Sequence, residues 1–305
     1  MRVLVTGASG LVGSSVASAL IGRGDEVVGL ARNPEQARSG NAGVSWHQWD
    51  AAAERPPQAA FEGVDAVVNL VGEPIEQRWT DAAKERIRAS RIPGTRSLVE
   101  AIAAAEPRPT ALVSGSAVGY YGDKGDAIVD ESGAPGSGFD SQVCVDWEAA
   151  ASEVEAAGVR LVILRTGLIL DRRRGLLKQL LPAFKLGLGG PLAGGGQYMP
   201  WIHIDDEVGL ILWALDNAEV SGVLNATAPN PVTNREFSKA LGKALGRPAV
   251  IPAPKLAVRL RFGSELSEAA AGGVRAVPRR AQDHGYEFRY PEVDGAFEAA
   301  LARDG

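Results

Sequence analysis

The sequence predicts an α/β protein: a doubly wound parallel sheet with helices on both faces, joined to a smaller, mostly helical part. Three observations carry this. A short apolar run, Val3-Leu4-Val5, meets a glycine-spaced turn, Gly7-Ala8-Ser9-Gly10-Leu11-Val12-Gly13, and an apolar helical pattern follows without a break. Further apolar or alternating runs then take turns with helical patterns as far as residue 170, the rhythm of strand–crossover–strand units. From Asp171 onward that rhythm stops, and helices are separated by Gly/Pro-rich loops.

Taken in order, the opening unit is strand, tight loop, helix. Such a loop aims bare backbone N–H groups at the positive end of a helix dipole, where a pyrophosphate can sit. Glycine is needed wherever backbone turns sharply or meets a ligand without a Cβ in the way. Because glycine is abundant here (37 residues), the spacing alone is weak, and an ordinary βα turn is the rival reading. The context is stronger, since a second strand, Glu26 to Ala31, follows the helix. A secretory leader fits poorly: one early Arg, no small-residue cleavage site, and glycines that interrupt the apolar run.

The second strand ends at Ala31-Arg32. An acid there selects the ribose 2′-OH of NAD, whereas an Arg accommodates a 2′-phosphate, so Arg32 favours NADP over NAD, against a plain surface Arg. Val44 to Asp50 is the third strand; Asp50 either bonds the adenine amino group or caps its own loop. Ala66 to Leu70, apolar but for Asn69, is the fourth strand, ending at Val71-Gly72-Glu73. Ile75 to Ala89 contains a helix, Pro93-Gly94 breaks it, and a second helix runs from Thr95 to Ala105. Thr110 to Ser114 is the fifth strand, leading into a hydroxyl-rich loop, Gly115 to Asp123. Gln142 to Ala157 is a helix with Gly158 at its C-terminus, and Val159 to Arg165 is the sixth strand.

The later segments read as a helix at Leu176 to Phe184, a glycine-rich loop from Gly187 to Gly196, and a helix to Asp216 with Asp205 as N-cap. The glycine-rich loop lacks the K-[ST] ending of a P-loop, so it is a lid or hairpin rather than a phosphate site. Gly222 to Ala226 is a strand returning to the sheet edge, and Thr233-x-x-Glu236 is a capping box. The expected division is residues 1–170 as the sheet domain with a returning strand near 222–227, residues 171–221 as an insertion, and residues 228–305 as a small C-terminal domain.

Composition excludes several classes of function. At 45% hydrophobic and 23% charged the chain is that of a soluble globular protein, and no apolar run reaches the roughly 18 residues of a membrane span. A net charge of −5 with dispersed Lys and Arg argues against nucleic acid. One cysteine, Cys144, precludes an intrachain disulfide framework and suits a cytoplasmic location. His47, His203 and His284 are far apart and lack metal-ligand spacing, so no metal is expected.

Four stretches carry a resemblance: Asn69-Leu-Val-Gly-Glu-Pro-Ile75, Ser114-Gly-Ser-Ala-Val-Gly-Tyr-Tyr-Gly-Asp123, Trp147-Glu-Ala-Ala150, and Gly187-Leu-Gly-Gly190 with Trp201-Ile-His-Ile-Asp205. With the opening glycines and Leu164-Arg-Thr-Gly167 they resemble the extended short-chain dehydrogenase/reductases, in particular the atypical YfcH-like epimerase branch. The segment from Val250-Ile-Pro252 through Gly285 to Pro291 is similar to that branch's small C-terminal domain. The resemblance implies an NADP-binding Rossmann domain. It places Gly7, Ser9, Gly10, Leu11, Val12 and Gly13 at the pyrophosphate, Arg32 at the 2′-phosphate, and Leu70, Val71 and Gly72 along the adenine-to-ribose passage. Arg91 falls where extended members carry a cofactor-contacting Asn. Ser114, Arg165, Thr166, Gly167 and Leu168 complete the cofactor set, with Thr166 to Ile169 flanking the nicotinamide.

The family's usual chemistry needs a Ser, a Tyr, and a Lys four residues after the Tyr, whose ammonium lowers the phenol pKa. Here no Y-x-x-x-K occurs; alignment on Trp147-Glu148 puts Asp140 at the Tyr position and Cys144 at the Lys position. Ser116 remains as the substrate-orienting hydroxyl. Tyr121 and Asp140 are the candidate proton-transfer groups, with a helix N-cap as the plainer role for Asp140. Glu73, Trp79, Tyr198, Trp201 and His203 are expected along the substrate cleft, although base rates make two of the four rings ordinary core. Two functions follow. One is an NADP-dependent oxidoreductase or epimerase acting on a small polar substrate, such as a sugar nucleotide, in a homodimer. The other is an NADP-binding or cofactor-sensing module without turnover, suggested by the missing Tyr/Lys pair.

Overall fold

The structure is a computed structural model describing residues 1–192, 194–252 and 263–302. Ala193 of the glycine-rich loop, and residues 253–262 and 303–305 of the expected C-terminal domain, lie outside the described residues. The chain opens with β1 (Arg2–Thr6), α1 (Leu11–Gly22), β2 (Glu26–Ala31), α2 (Pro34–Arg38), β3 (Val44–Gln48), β4 (Ala66–Asn69) and the long α3 (Asp81–Ala103). It continues with β5 (Ala111–Ala117), β6 (Ile128–Val129), α4 (Phe139–Ser152), β7 (Arg160–Thr166) and β8 (Leu168–Leu170). Next come α5 (Gly175–Lys185), β9 (Tyr198–Met199), β10 (Trp201–His203), α6 (Ile204–Asp216) and β11 (Gly222–Ala226). The last elements are β12 (Val232–Thr233), α7 (Asn234–Ala244), α8 (Ser264–Ala271), β13 (Arg275–Ala276), α9 (Arg279–Asp283) and α10 (Val293–Ala302).

Seven strands form one sheet in the order β11-β7-β5-β4-β1-β2-β3, every pair parallel. The chain walks outward from β1 to β3, then restarts at β4 on the other side of β1. That reversal opens a crevice at the carboxyl ends of β1 and β4, the place where such sheets receive ligands. Alternation along each strand feeds two cores. Val3, Val5, Val68 and Val113 meet Val16, Leu20, Leu210 and Ile211 of α1 and α6 on one face. Leu4, Val67 and Leu112 meet Leu98 and Ile102 of α3, with Ala151 and Val154, on the other. Each such buried side chain contributes about 2 kcal/mol.

A third core joins Leu177, Leu181 and Phe184 of α5 and Trp201 to Phe237, Leu241, Phe297 and Ala300. Residues of the insertion and of the C-terminal part share one core, whereas α6 packs on the sheet beside α1.

Two local expectations are corrected. Pro93 does not break the helix; α3 runs through it. A mid-helix proline costs about 3 kcal/mol, and the burial of Ile87, Leu98, Val99 and Ile102 along one face of α3 outweighs it. The N-cap of α6 is His203 rather than Asp205: His203 Nδ1 accepts from the Asp205 N–H at 3.1 Å. The Thr233–Glu236 capping box forms as read, and Gly158 takes the left-handed conformation (φ +75°) after the 3-10 turn Glu153–Ala157.

Candidate functional site

The glycine loop is built around backbone that admits no side chain. Gly7 has φ +66°, and a Cβ there would lie 2.7 Å from the Leu70 carbonyl. A Cβ on Gly13 would run into the Gly7 carbonyl, so helix and turn are pressed together. The Gly10 N–H donates to the Gly7 carbonyl at 2.8 Å, closing the turn. Gly10 is the N-cap of α1 and brings no capping side chain, so the first-turn N–H groups of the helix face outward without a cap. These residues fit a dinucleotide pyrophosphate: open donors, a helix N-terminus, and no Cβ in the approach.

A buried polar network fixes the neighbouring strand ends. Thr6 Oγ1 donates to Asn69 Oδ1 at 2.8 Å and accepts from the N–H groups of Leu70 and Val71 at 3.0 and 3.1 Å. Asn69 Nδ2 donates to Thr95 Oγ1 and Ser114 Oγ at 3.1 and 3.2 Å, and Trp147 Nε1 donates to Thr95 Oγ1 at 2.9 Å. Leu70, Val71 and Gly72 follow directly at the carboxyl end of β4. Ser114 is different: it is fully buried in this network, and its hydroxyl supports the strand end instead of facing a ligand.

Arg91 reaches from α3 to the same strand end. A Cβ on Gly72 would lie 2.8 Å from its Cζ. Its Nη1 donates to the Glu73 carbonyl at 2.8 Å, and the guanidinium lies 5.0 Å from the Trp147 ring centre. Burial lowers its pKa, opposed by the nearby Cys144 and Glu73. Arg32 is exposed at the end of β2, with no hydrogen bond or ion pair among the described residues. Asp50 caps its own loop, accepting from the Ala52 N–H at 3.0 Å.

Beside β5 the arrangement is closed. Ser116 Oγ donates to Glu148 Oε1 at 2.6 Å. Arg165 clamps the same carboxylate, Nε to Oε1 and Nη2 to Oε2, both at 2.8 Å. Its Nη1 donates to the Tyr121 hydroxyl at 3.0 Å and to the Glu131 carbonyl at 3.3 Å, and its guanidinium lies 3.4 Å from the Tyr120 ring centre. Tyr121 is fully buried and donates to Asn225 Oδ1 at 2.7 Å. Burial pushes its phenol above the ordinary range.

This overturns two expected roles. Tyr121 has no face toward a substrate and its proton is committed to Asn225. Arg165 spends its donors on Glu148, Tyr121 and Glu131, leaving a structural pivot where a cofactor contact was expected. Ser116 keeps its position but changes its chemistry. A carboxylate only accepts, so the one hydroxyl proton of Ser116 goes to Glu148, and Ser116 offers acceptor lone pairs alone.

Asp140, Cys144 and Glu148 follow each other at one-turn intervals on α4. Asp140 is in the first turn rather than the N-cap, beside Gly119, and burial raises its pKa. Cys144 is buried; desolvation, with Glu148 and Asp140 nearby, pushes its thiol up to about 12. Thr166 Oγ1 donates to Glu207 Oε1 at 2.8 Å. Glu207 is fully buried, its other oxygen has no hydrogen-bond partner among the described residues, and desolvation raises its pKa to about 8. Gly167, whose Cβ would strike the Pro200 carbonyl, and Leu168 in β8 follow directly.

Of the cleft candidates, Trp201 (1% exposed) belongs to the third core and His203 (0%) is a helix cap whose ring lies tilted against Tyr290, the ring centres 4.1 Å apart. Both are removed from any stacking role. Trp79 and Tyr198 remain half-buried, Trp79 against Phe139 and Tyr198 under Arg275. Glu73 ties its loop together, accepting from Gln77 and Arg86 at 3.2 and 3.3 Å. Sequence reading missed Glu148, Asn225 and Glu207. Only Glu148 carried a local signal, two turns after Asp140. No group of three or more potential metal ligands occurs among the described residues, and no helix among them is long and apolar enough to cross a membrane.

Comparison with known proteins identifies the family. A model of the NAD dependent epimerase/dehydratase family matches residues 3–226, and one of a domain of unknown function, DUF1731, matches residues 253–300. An epimerase family protein of Mycobacterium bovis is 39% identical over 304 residues, covering 99% of this chain and 98% of that protein. The crystal structure of human epimerase family protein SDR39U1 with NADPH is 37% identical, covers 99% and 100% of the two chains, and superposes with a TM-score of 0.90. A nucleoside-diphosphate sugar epimerase from Corynebacterium glutamicum is 32% identical, with 99% of this chain, 58% of that one and a TM-score of 0.80. With a family match over most of its length and full-length relatives at this identity, the chain belongs to the NAD dependent epimerase/dehydratase family, in its short-chain dehydrogenase/reductase-like branch with a DUF1731 C-terminal domain.

Proposed function

We propose that this protein binds NADP(H) at the crevice between β1 and β4 and acts as an oxidoreductase or epimerase on a small polar substrate of the sugar-nucleotide class. The observation that carries the reading is the uncapped first turn of α1 beneath Gly7, Gly10 and Gly13, a donor set shaped for a pyrophosphate. Arg32 supports the 2′-phosphate, being exposed at the strand end with its charge unspent. The solved human relative with NADPH and the sugar-nucleotide name of the Corynebacterium relative support cofactor and substrate class respectively.

A bound nicotinamide supplies hydride transfer. This chain's residues supply the rest. Ser116 accepts a hydrogen bond from a substrate hydroxyl, held by Glu148 and Arg165. Asp140 exchanges the proton, since burial moves its carboxyl toward the range useful for acid–base work. Arg91 lines the passage at Gly72. A second reading, cofactor binding without turnover, is favoured by one observation: Ser116 and Tyr121 both donate inward.

The test is NADPH consumption across a panel of carbonyl compounds and nucleotide sugars. Substrate-dependent turnover that falls at least about 100-fold in Asp140→Asn supports the first reading. Saturable NADPH binding with no turnover on any substrate supports the second.

A further inference from the structure

The segment joining β8 to α5 carries three consecutive arginines that neither the glycine motif nor the proposed active site accounts for. Arg172 Nη1 donates to the Leu301 carbonyl on α10 at 3.0 Å, fixing one end of the segment. Asp171 is fully buried and receives the Arg173 N–H at 2.7 Å and its guanidinium at 2.7 and 3.1 Å. That grip aims Arg173 Nη2 at Ser15 Oγ, 3.5 Å away on α1. Arg174 Nη1 donates to the Ser9 carbonyl at 3.0 Å, inside the glycine loop itself. The two guanidinium groups therefore contact the chain just before and just after the uncapped first turn of α1, Leu11 to Gly13.

Both retain donors. Arg173 Nη1, and Arg174 Nε and Nη2, make no hydrogen bond among the described residues. Asp171 offsets part of the Arg173 charge, so Arg174 is the stronger cation toward a ligand.

We propose that Arg173 and Arg174 form a cationic clamp on the pyrophosphate of the dinucleotide bound at the glycine loop. This rests on the nucleotide reading above. A pyrophosphate carries two negative charges. The helix N-terminus supplies partial positive charge from one side, and the guanidinium forks supply full charges with several donors each. The clamp comes from the segment that leads into the third core, so that part of the molecule contributes directly to cofactor affinity.

The test is fluorescence titration of the full-length protein with NADPH and with NADH, for wild type, Arg174→Ala, Arg173→Ala/Arg174→Ala, and Arg55→Ala as a remote charge control. Arg174→Ala should weaken both dinucleotides about tenfold and the double variant further, by equal factors for the two. The double variant should also show a shallower salt dependence than wild type, with Arg55→Ala unchanged. A double variant that binds both dinucleotides like wild type overturns the clamp. A loss confined to NADPH overturns it too, because the arginines would then serve the 2′-phosphate. Wild-type protein that binds neither dinucleotide removes the nucleotide reading itself, and the clamp with it. Thermal melting without ligand monitors folding, and Arg174→Lys, keeping charge without the fork, should retain part of the affinity.

Discussion

The two ends of the crevice are built on opposite rules. At the β1–α1 loop the backbone is left open: Gly10 brings no cap, no Cβ intrudes, and Arg32 has no partner among the described residues. Beside β5 almost every polar hydrogen is spent inside the protein. Ser116 gives to Glu148, Arg165 to Glu148 and Tyr121, and Tyr121 to Asn225. An open donor set in a folded chain is an invitation to a ligand. A closed network holds the fold and sets which hydrogens remain for chemistry. The first region argues for dinucleotide binding, and the second withdraws the tyrosine as the acid–base group.

Breaking the closed region should cost mainly stability. Glu148→Ala strands the Arg165 guanidinium, 4% exposed, without its counter-charge. Urea unfolding should show a loss of about 4 kcal/mol, the scale of a broken buried pair. A loss within about 1 kcal/mol would mean the network is not what holds β5 to α4. The next effect is pH-dependent. Glu207 has a folded pKa raised to about 8, above its ordinary 4.5, so the unfolded chain releases the proton first as pH rises. Stability attributable to this group is full below about pH 4.5, falls through the interval, and reaches its lowest value above about 8. Glu207→Gln should abolish that decline, making the variant the more stable form at about pH 9. Parallel stability–pH curves for the two proteins would show that the carboxyl is not held neutral.

The smallest effect belongs to the open region. Arg32→Ala should weaken NADPH about tenfold more than NADH. Equal losses would place the 2′-phosphate elsewhere.

What could be read from the sequence follows the range of the interactions. The parallel sheet was legible because buried strands are continuous apolar runs, as Val3 to Val5 and Ala66 to Val68 show. The glycine loop was legible because its constraints act within a single turn and the helix start that follows it. Pro93 misled because packing of α3 against the sheet overrides a local cost. The Asp205 cap misled because Asp is a favoured capping residue and His is not, and only the geometry at the end of β10 puts His203 Nδ1 on the Asp205 N–H. The roles of Tyr121 and Arg165 were hidden because their partners are remote: Asn225 lies 104 residues from Tyr121, and Glu148 lies across the α4–β7 connection from Arg165. Trp201 and His203 carry side chains typical of binding sites; burial puts Trp201 in the third core, and the hydrogen bond from the Asp205 N–H makes His203 a cap.

The contrast between the two regions is tested most directly by titrating NADPH into Gly13→Ala and Tyr121→Phe side by side. The Cβ introduced by Gly13→Ala would collide with the Gly7 carbonyl and distort the loop, so NADPH affinity should fall by about 100-fold or more. Tyr121→Phe leaves Asn225 and Arg165 short of one partner and should lose about 1–2 kcal/mol of stability, with NADPH affinity within about twofold of wild type. The opposite pattern, intact binding in Gly13→Ala with binding lost in Tyr121→Phe, would place the cofactor against β5 and contradict this account.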